Sequence, residues 1–270
     1  MTAFHIVTAL GPPALYLLAA ALVIRPSASD PPRRPLAATL CALAGAALHA
    51  YVLFSAIRTP AGVSIAITDG ASLVGWVVGA TVAVAMACTA LGALPVVLLA
   101  VAALLALGTG ALSGFAEITS PQWEVDAHIA LAALAAGWLA IAVTIVLLLT
   151  LLDARLRSRR PLGALGYLPP VEAMESLLFR ALGGGFVVLT LALVTGAFFV
   201  HDIRAQHLTH KVVLAVTAWA VFGVLLWGRV RAGWRGRRAR LFTVGGFVIL
   251  ALAYFGAKFV LENLLGRHWG

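Results

Sequence analysis

Charge is what this chain of 270 residues has least of. Only 11% of it is Asp, Glu, Lys or Arg, against about 25% in a soluble domain. With 62% hydrophobic residues and a mean hydropathy of +1.03, it cannot cover a core with a water-facing surface. Cysteine is scarce as well. Cys41 and Cys88 are the two cysteines, and no Cys-x-x-Cys exists, which excludes a thiol-exchange pair and a covalent c-type haem attachment. Both read as small apolar core residues. There is no His-Glu-x-x-His, Gly-x-Ser-x-Gly, phosphate loop or dinucleotide fingerprint, so zinc-hydrolase, serine-hydrolase and nucleotide chemistry have no support. The N-terminus lacks a basic n-region and a small-residue cleavage pattern, so its apolar run reads as a retained span. Apolar runs three to five hold no mid-membrane carboxylate or lysine, which disfavours a secondary transporter.

What the chain does have is long apolar runs rich in Ala and Leu. A hydrocarbon core about 30 Å thick needs roughly 20 such residues per helix. Runs of that kind lie at 5–24, 36–57, 71–90, 93–112, 126–151, 182–200, 210–228 and 240–261. They are unbroken, whereas barrel strands alternate in polarity. The expected fold is an all-α polytopic membrane helix bundle of about eight transmembrane helices, one integral membrane domain over 1–270, with a two-residue link near Gly92 joining spans three and four.

The net charge of +9 would suggest nucleic acid in a soluble protein. Here it reads as topology, with the lipid bilayer as the partner and no nucleic acid. The loops after spans one, five and seven hold Arg25, Arg33, Arg34, Arg155, Arg157, Arg159, Arg160, Arg180, Arg229, Arg231, Arg235, Arg237, Arg238 and Arg240, 14 of the 19 basic residues. Basic residues mark cytoplasmic loops, which puts both termini on the periplasmic side of a bacterial inner membrane. The longest loop, 152–181, is then cytoplasmic. Its second half, from Pro169 and Pro170 to Arg180, has proline in the first turn with Glu172 and Glu175 near the N-terminal end. That pattern predicts an interfacial helix that feeds span six. Gly75 and Gly79 form a small-xxx-small packing pair.

On this topology all seven histidines fall on the outer side. His5 opens span one and His128 opens span five. His201 closes span six, His207 and His210 lead into span seven, and His268 is in the tail. His49 lies inside span two, about 12 Å deep at 1.5 Å per residue. A neutral imidazole is a common axial ligand to haem iron. His128 on one side and the 201–210 loop on the other are candidate ligands, with His128 and His210 as the iron-bound pair. The competing account is that interfacial histidines are comfortable there because they are half apolar. For His49, the competing account is helix–helix hydrogen bonding. A two-haem electron carrier would need paired deep histidines, and His49 alone lies deep enough.

The run Leu226-Trp227-Gly228-Arg229-Val230-Arg231-Ala232-Gly233-Trp234-Arg235-Gly236-Arg237-Arg238-Ala239, with Gly246-Phe247 and Tyr254-Phe255-Gly256 after it, resembles the end of the cytochrome c assembly family of CcsA/CcmC-type membrane proteins. Asp126-Ala127-His128, Pro169-Pro170-Val171-Glu172 and His210-Lys211…Ala218-Trp219 fit the same family, in its YpjD- and HemX-type branch. The resemblance implies non-covalent, b-type haem held at the outer face for cytochrome c biogenesis, with His128 at the place of a family haem histidine. It also implies partners among cytochrome c maturation or haem-synthesis proteins. The chain departs from the family pattern in three places. Residues 198–210 lack the family's tryptophan-rich loop, Trp227 stands where an in-membrane histidine is expected, and His268 matches a second outer histidine only approximately. The expected function is a haem-handling accessory protein without chemistry of its own. The alternative is a regulatory membrane protein of tetrapyrrole synthesis that binds no haem.

Overall fold

A computed structural model of the chain describes residues 3–24, 36–59, 62–65, 67–109, 118–120, 123–199 and 209–256. Eight α-helices occur among them, one for each expected span: α1 (Ala3–Ile24), α2 (Leu36–Ile57), α3 (Ile67–Cys88), α4 (Leu94–Ala106), α5 (Trp123–Arg157), α6 (Val171–Phe199), α7 (Thr209–Ala232) and α8 (Arg237–Ala251). Helices α2, α3, α5, α6 and α7 are long and apolar enough to cross a membrane. The chain is a polytopic helical membrane protein, because backbone groups in hydrocarbon must find their partners within the helix.

Four differences from the sequence reading have local causes. Helix α4 is 13 residues long, about 20 Å at the α-helical rise, because the chain turns at Leu107–Thr109. The link between α3 and α4 runs from Thr89 to Ala93 and contains Gly92 at φ +54°, a left-handed conformation that glycine adopts at no steric cost. The segment expected as an interfacial helix is continuous with span six, since α6 runs unbroken over 29 residues. The glycines at 183–185 do not end it, as Trp138 and Leu139 of α5 pack directly against Gly184 and Gly185. A small antiparallel sheet, β1 (Arg58–Thr59), β2 (Gly62–Ile65) and β3 (Ile118–Ser120), was not expected. Strands of two to four residues are too short to leave a pattern in the sequence.

The chain forms two compact units. Unit 1 holds α1–α4, the sheet and residues 154–171. Its helices meet through small residues. Leu48 packs on Gly11 and Leu105 on Gly75, while the Tyr16 ring fills the space that a side chain at Gly79 would need. The Gly75–Gly79 pair is thus a packing seam shared by two neighbours. The backbone N–H of Ala93 donates to the Tyr167 carbonyl at 3.0 Å.

Unit 2 holds residues 122–153 of α5 with α6, α7 and α8. Phe186 of α6 stacks on Trp219 of α7 with centroids 5.6 Å apart, and the Trp219 indole N–H donates to Thr190 Oγ1 at 2.9 Å. Phe222 is fully buried against Gly246 of α8. Arg240 in the first turn of α8 pairs with Asp153 of α5 at 2.9 Å.

Candidate functional site

Two histidine side chains are described inside the helices, and they are bonded in opposite ways. His49, in α2 of unit 1, is completely buried, as are Tyr16 and Ser72 beside it. Its Nε2 is 2.8 Å from Ser72 Oγ and its Nδ1 is 3.4 Å from Tyr16 Oη. Ser72 Oγ lies 2.5 Å from Thr109 Oγ1, which donates to the Ala106 carbonyl at 3.2 Å. That last bond orients the whole chain. Thr109 spends its proton on a carbonyl, so Ser72 donates to Thr109. Ser72 then accepts from His49 Nε2–H, and His49 Nδ1 accepts from the Tyr16 hydroxyl. Every donor is used, and neither imidazole nitrogen is left open. His49 therefore ties α1, α2 and α3 together. Helix–helix hydrogen bonding accounts for its burial, because a buried polar group without partners is costly.

His128, near the start of α5 in unit 2, is half-buried. Its Nδ1 is 2.9 Å from the Ala192 carbonyl and 3.3 Å from Thr195 Oγ1. A carbonyl only accepts, so Nδ1 carries the proton and donates, leaving the lone pair on Nε2. The Thr195 hydroxyl donates to the same carbonyl at 3.0 Å and braces it. Gly196 lets the ring lie flat against α6, since a Cβ there would meet Cε1 at 2.9 Å. A histidine that ligates metal ordinarily donates its other N–H to a carbonyl or carboxylate, which fixes tautomer and ring orientation. His128 has that arrangement, with no hydrogen bond to Nε2 among the described residues.

Sequence reasoning singled out His128 and His49 but not their partners. The signal for Thr195 and Gly196 was a Thr-Gly pair in an apolar helix, where glycine makes room and threonine brings an oxygen. Ser72 and Thr109 were likewise isolated hydroxyls in apolar surroundings. His210 is placed in the first turn of α7. His201 and His207 lie outside the described residues, so their candidacy stands on sequence alone. Asp126, in the first turn of α5, buries Oδ1 without a hydrogen-bond partner among the described residues. Among those residues no group of three or more His, Cys, Asp or Glu is arranged to hold a metal ion.

The motif that carried the family resemblance is a built turn between α7 and α8. Gly233 and Gly236 adopt φ of +61° and +60°. The N–H of Gly233 bonds the Arg229 carbonyl and that of Trp234 bonds the Gly228 carbonyl, at 3.2 and 3.1 Å. The Trp234 ring lies on Gly228, where a Cβ would collide with it. The N–H of Gly236 donates to Glu175 Oε1 at 3.3 Å. Glycine and tryptophan alternate in the motif because the turn needs left-handed backbone and a bare surface under one indole.

Comparison with known proteins bears on the family of the chain. The model of a family described as cytochrome C assembly protein matches residues 60–265. The inner membrane protein YpjD of Escherichia coli strain K12 is 40% identical over 135 residues, 50% of this chain and 51% of that protein. An uncharacterized 28.8 kDa protein of Azospirillum brasilense is 35% identical over 149 residues, 54% of this chain and 55% of its own. The cytochrome c biogenesis protein CcsA of Prochlorococcus marinus is 32% identical over 100 residues, 36% of this chain and 32% of that protein. The chain thus spans about half the length of the first two of these curated relatives and less of the third. No solved structure matches it.

Proposed function

The chain belongs to the cytochrome c assembly protein family, and on that premise we propose that it is a haem-handling accessory protein of cytochrome c biogenesis. It is a multi-pass protein of the bacterial inner membrane. It would hold non-covalent, b-type haem as cargo at the outer face, with the imidazoles of His128 and His210 supplying nitrogen to its iron. His201 and His207, between spans six and seven in the sequence, are reserve candidates. The observation that carries this reading is the single open nitrogen of His128, fixed by the Ala192 carbonyl at 2.9 Å and braced by Thr195. Bound haem would supply a ferric or ferrous iron that accepts imidazole nitrogen. The protein's own residues present that nitrogen, hold its tautomer and shield the ring against α6. In this reading His49 is a cross-helix tie and not a ligand, which the hydrogen bonds on both of its nitrogens support.

The test is the absorption spectrum of the protein purified in mild detergent with added haem. A Soret band that is lost in His128→Ala and weakens in His210→Ala is the expected result. No band, or a band indifferent to both substitutions, overturns the proposal. The missing tryptophans of residues 198–210 favour one other reading, a regulator of tetrapyrrole synthesis. Deleting the gene separates the two. Lost c-type cytochromes with unchanged haem precursors support haem handling, and altered precursors with normal cytochromes support regulation.

A further inference from the structure

We infer that the arginine-rich end of unit 2 is a binding site for anionic phospholipid headgroups, with Arg231 and Arg238 taking the phosphate. The six arginines between 229 and 240 are not equivalent. Arg229 is committed to the fold: its guanidinium stands 4.4 Å over the Phe179 ring and Nη1 donates to the Trp234 carbonyl at 3.4 Å. Arg240 is committed as well, to Asp153 at 2.9 Å and to the Leu149 carbonyl at 3.4 Å. Glu175 accepts the Gly236 N–H. The carboxylates Asp153 and Glu175 are thus engaged inside the fold.

Arg231 and Arg238 are exposed, and each guanidinium carbon lies over the face of an indole. Arg231 stands 5.0 Å over the Trp227 ring and Arg238 5.6 Å over that of Trp234. Stacking occupies only the flat face of a guanidinium. The in-plane N–H groups are left, and their fork matches two phosphate oxygens. The rings hold the guanidinium planes before a ligand arrives, so less side-chain freedom is lost on binding. The flank beside Arg231 is apolar and open, with Trp227 66% and Val230 83% exposed. Tryptophan at a helix end is an interfacial residue, apolar in body and polar at the tip. A stacked cation next to an exposed apolar flank fits an amphiphile with an anionic head. That flank decides for a lipid over an acidic protein segment, which would need the charge alone.

The full chain in mild detergent is given phosphatidylglycerol, phosphatidylcholine, inorganic phosphate or polyglutamate at one ionic strength. Bound lipid is counted by native mass spectrometry and the melting temperature is recorded. Phosphatidylglycerol alone should bind and raise the melting temperature. Arg231→Gln and Arg238→Gln should each weaken its retention about fivefold, the fold-change equivalent of about 1 kcal/mol per interfacial arginine. Arg231→Lys with Arg238→Lys, which keeps the charge and loses the stacked fork, should fall between wild type and the double glutamine variant. Equal binding of the two lipids overturns the site, as does the same effect from free phosphate. Stabilisation by polyglutamate without phosphatidylglycerol binding assigns the surface to a protein partner instead. A double lysine variant that matches wild type overturns the stacked-fork assignment.

Discussion

His49 and His128 are both histidines in apolar helices, yet the two units use them in opposite ways. In unit 1, His49 carries its proton on Nε2, gives it to Ser72, and has Nδ1 capped by the Tyr16 hydroxyl. In unit 2, His128 carries its proton on Nδ1, gives it to the Ala192 carbonyl, and leaves Nε2 without a partner among the described residues. An imidazole has one donor and one acceptor when neutral. Satisfying both makes a cross-helix tie. Satisfying only the donor fixes the ring's orientation and leaves one nitrogen for the ligand role proposed above. Depth in the membrane or frequency of histidine does not separate these roles. The bonding of the second nitrogen does.

Four substitutions put that contrast under strain. The largest effect is expected from His128→Ala, which removes the open nitrogen: the haem Soret band should be lost in titration while the thermal melt of the detergent-solubilised protein changes little. Next comes His49→Leu. It leaves the buried Ser72 and Tyr16 groups short of a partner, at about 1–3 kcal/mol for each orphaned group. The melting temperature should fall well below wild type with haem affinity retained in the folded fraction. Gly196→Ala places a methyl 2.9 Å from the His128 Cε1 and pushes the ring off α6. A disturbed second shell costs about 10–100-fold in metal affinity, so haem affinity should drop about tenfold, read from the same titration. Thr195→Val is the mildest. It removes the 3.3 Å contact and the brace on Ala192 but keeps the 2.9 Å bond. A loss of about two- to threefold is expected, the low end of the roughly 0.5–1.5 kcal/mol of one neutral hydrogen bond, because the main bond to Ala192 remains.

The helices were legible because a membrane span must be long, apolar and internally bonded, and each of the eight runs has its helix. The ends were less legible. The helix α3 begins at Ile67 and takes Asp69 into its first turn, where a carboxylate faces the positive helix end. The apolar run read from the sequence starts at residue 71, after the charge. The continuity of α6 through three glycines depended on Trp138 and Leu139 from another helix, which no local pattern announces. Of the candidate site, the identities of His128 and His49 could be read, but not their roles. Those depend on oxygens 64 positions away for His128 and 23 or 33 away for His49. The arginine run read as a uniform anchor. It is divided by Asp153, Glu175 and the rings of Phe179, Trp227 and Trp234 into arginines that hold the turn and arginines that face outward.

The division of labour between the two histidines is tested most directly by one side-by-side haem titration of wild type, His49→Leu and His128→Ala, with circular-dichroism melts of the same samples as the folding control. The account predicts a Soret band in wild type and in folded His49→Leu, and none in His128→Ala. A band that survives in His128→Ala but disappears in folded His49→Leu would contradict it.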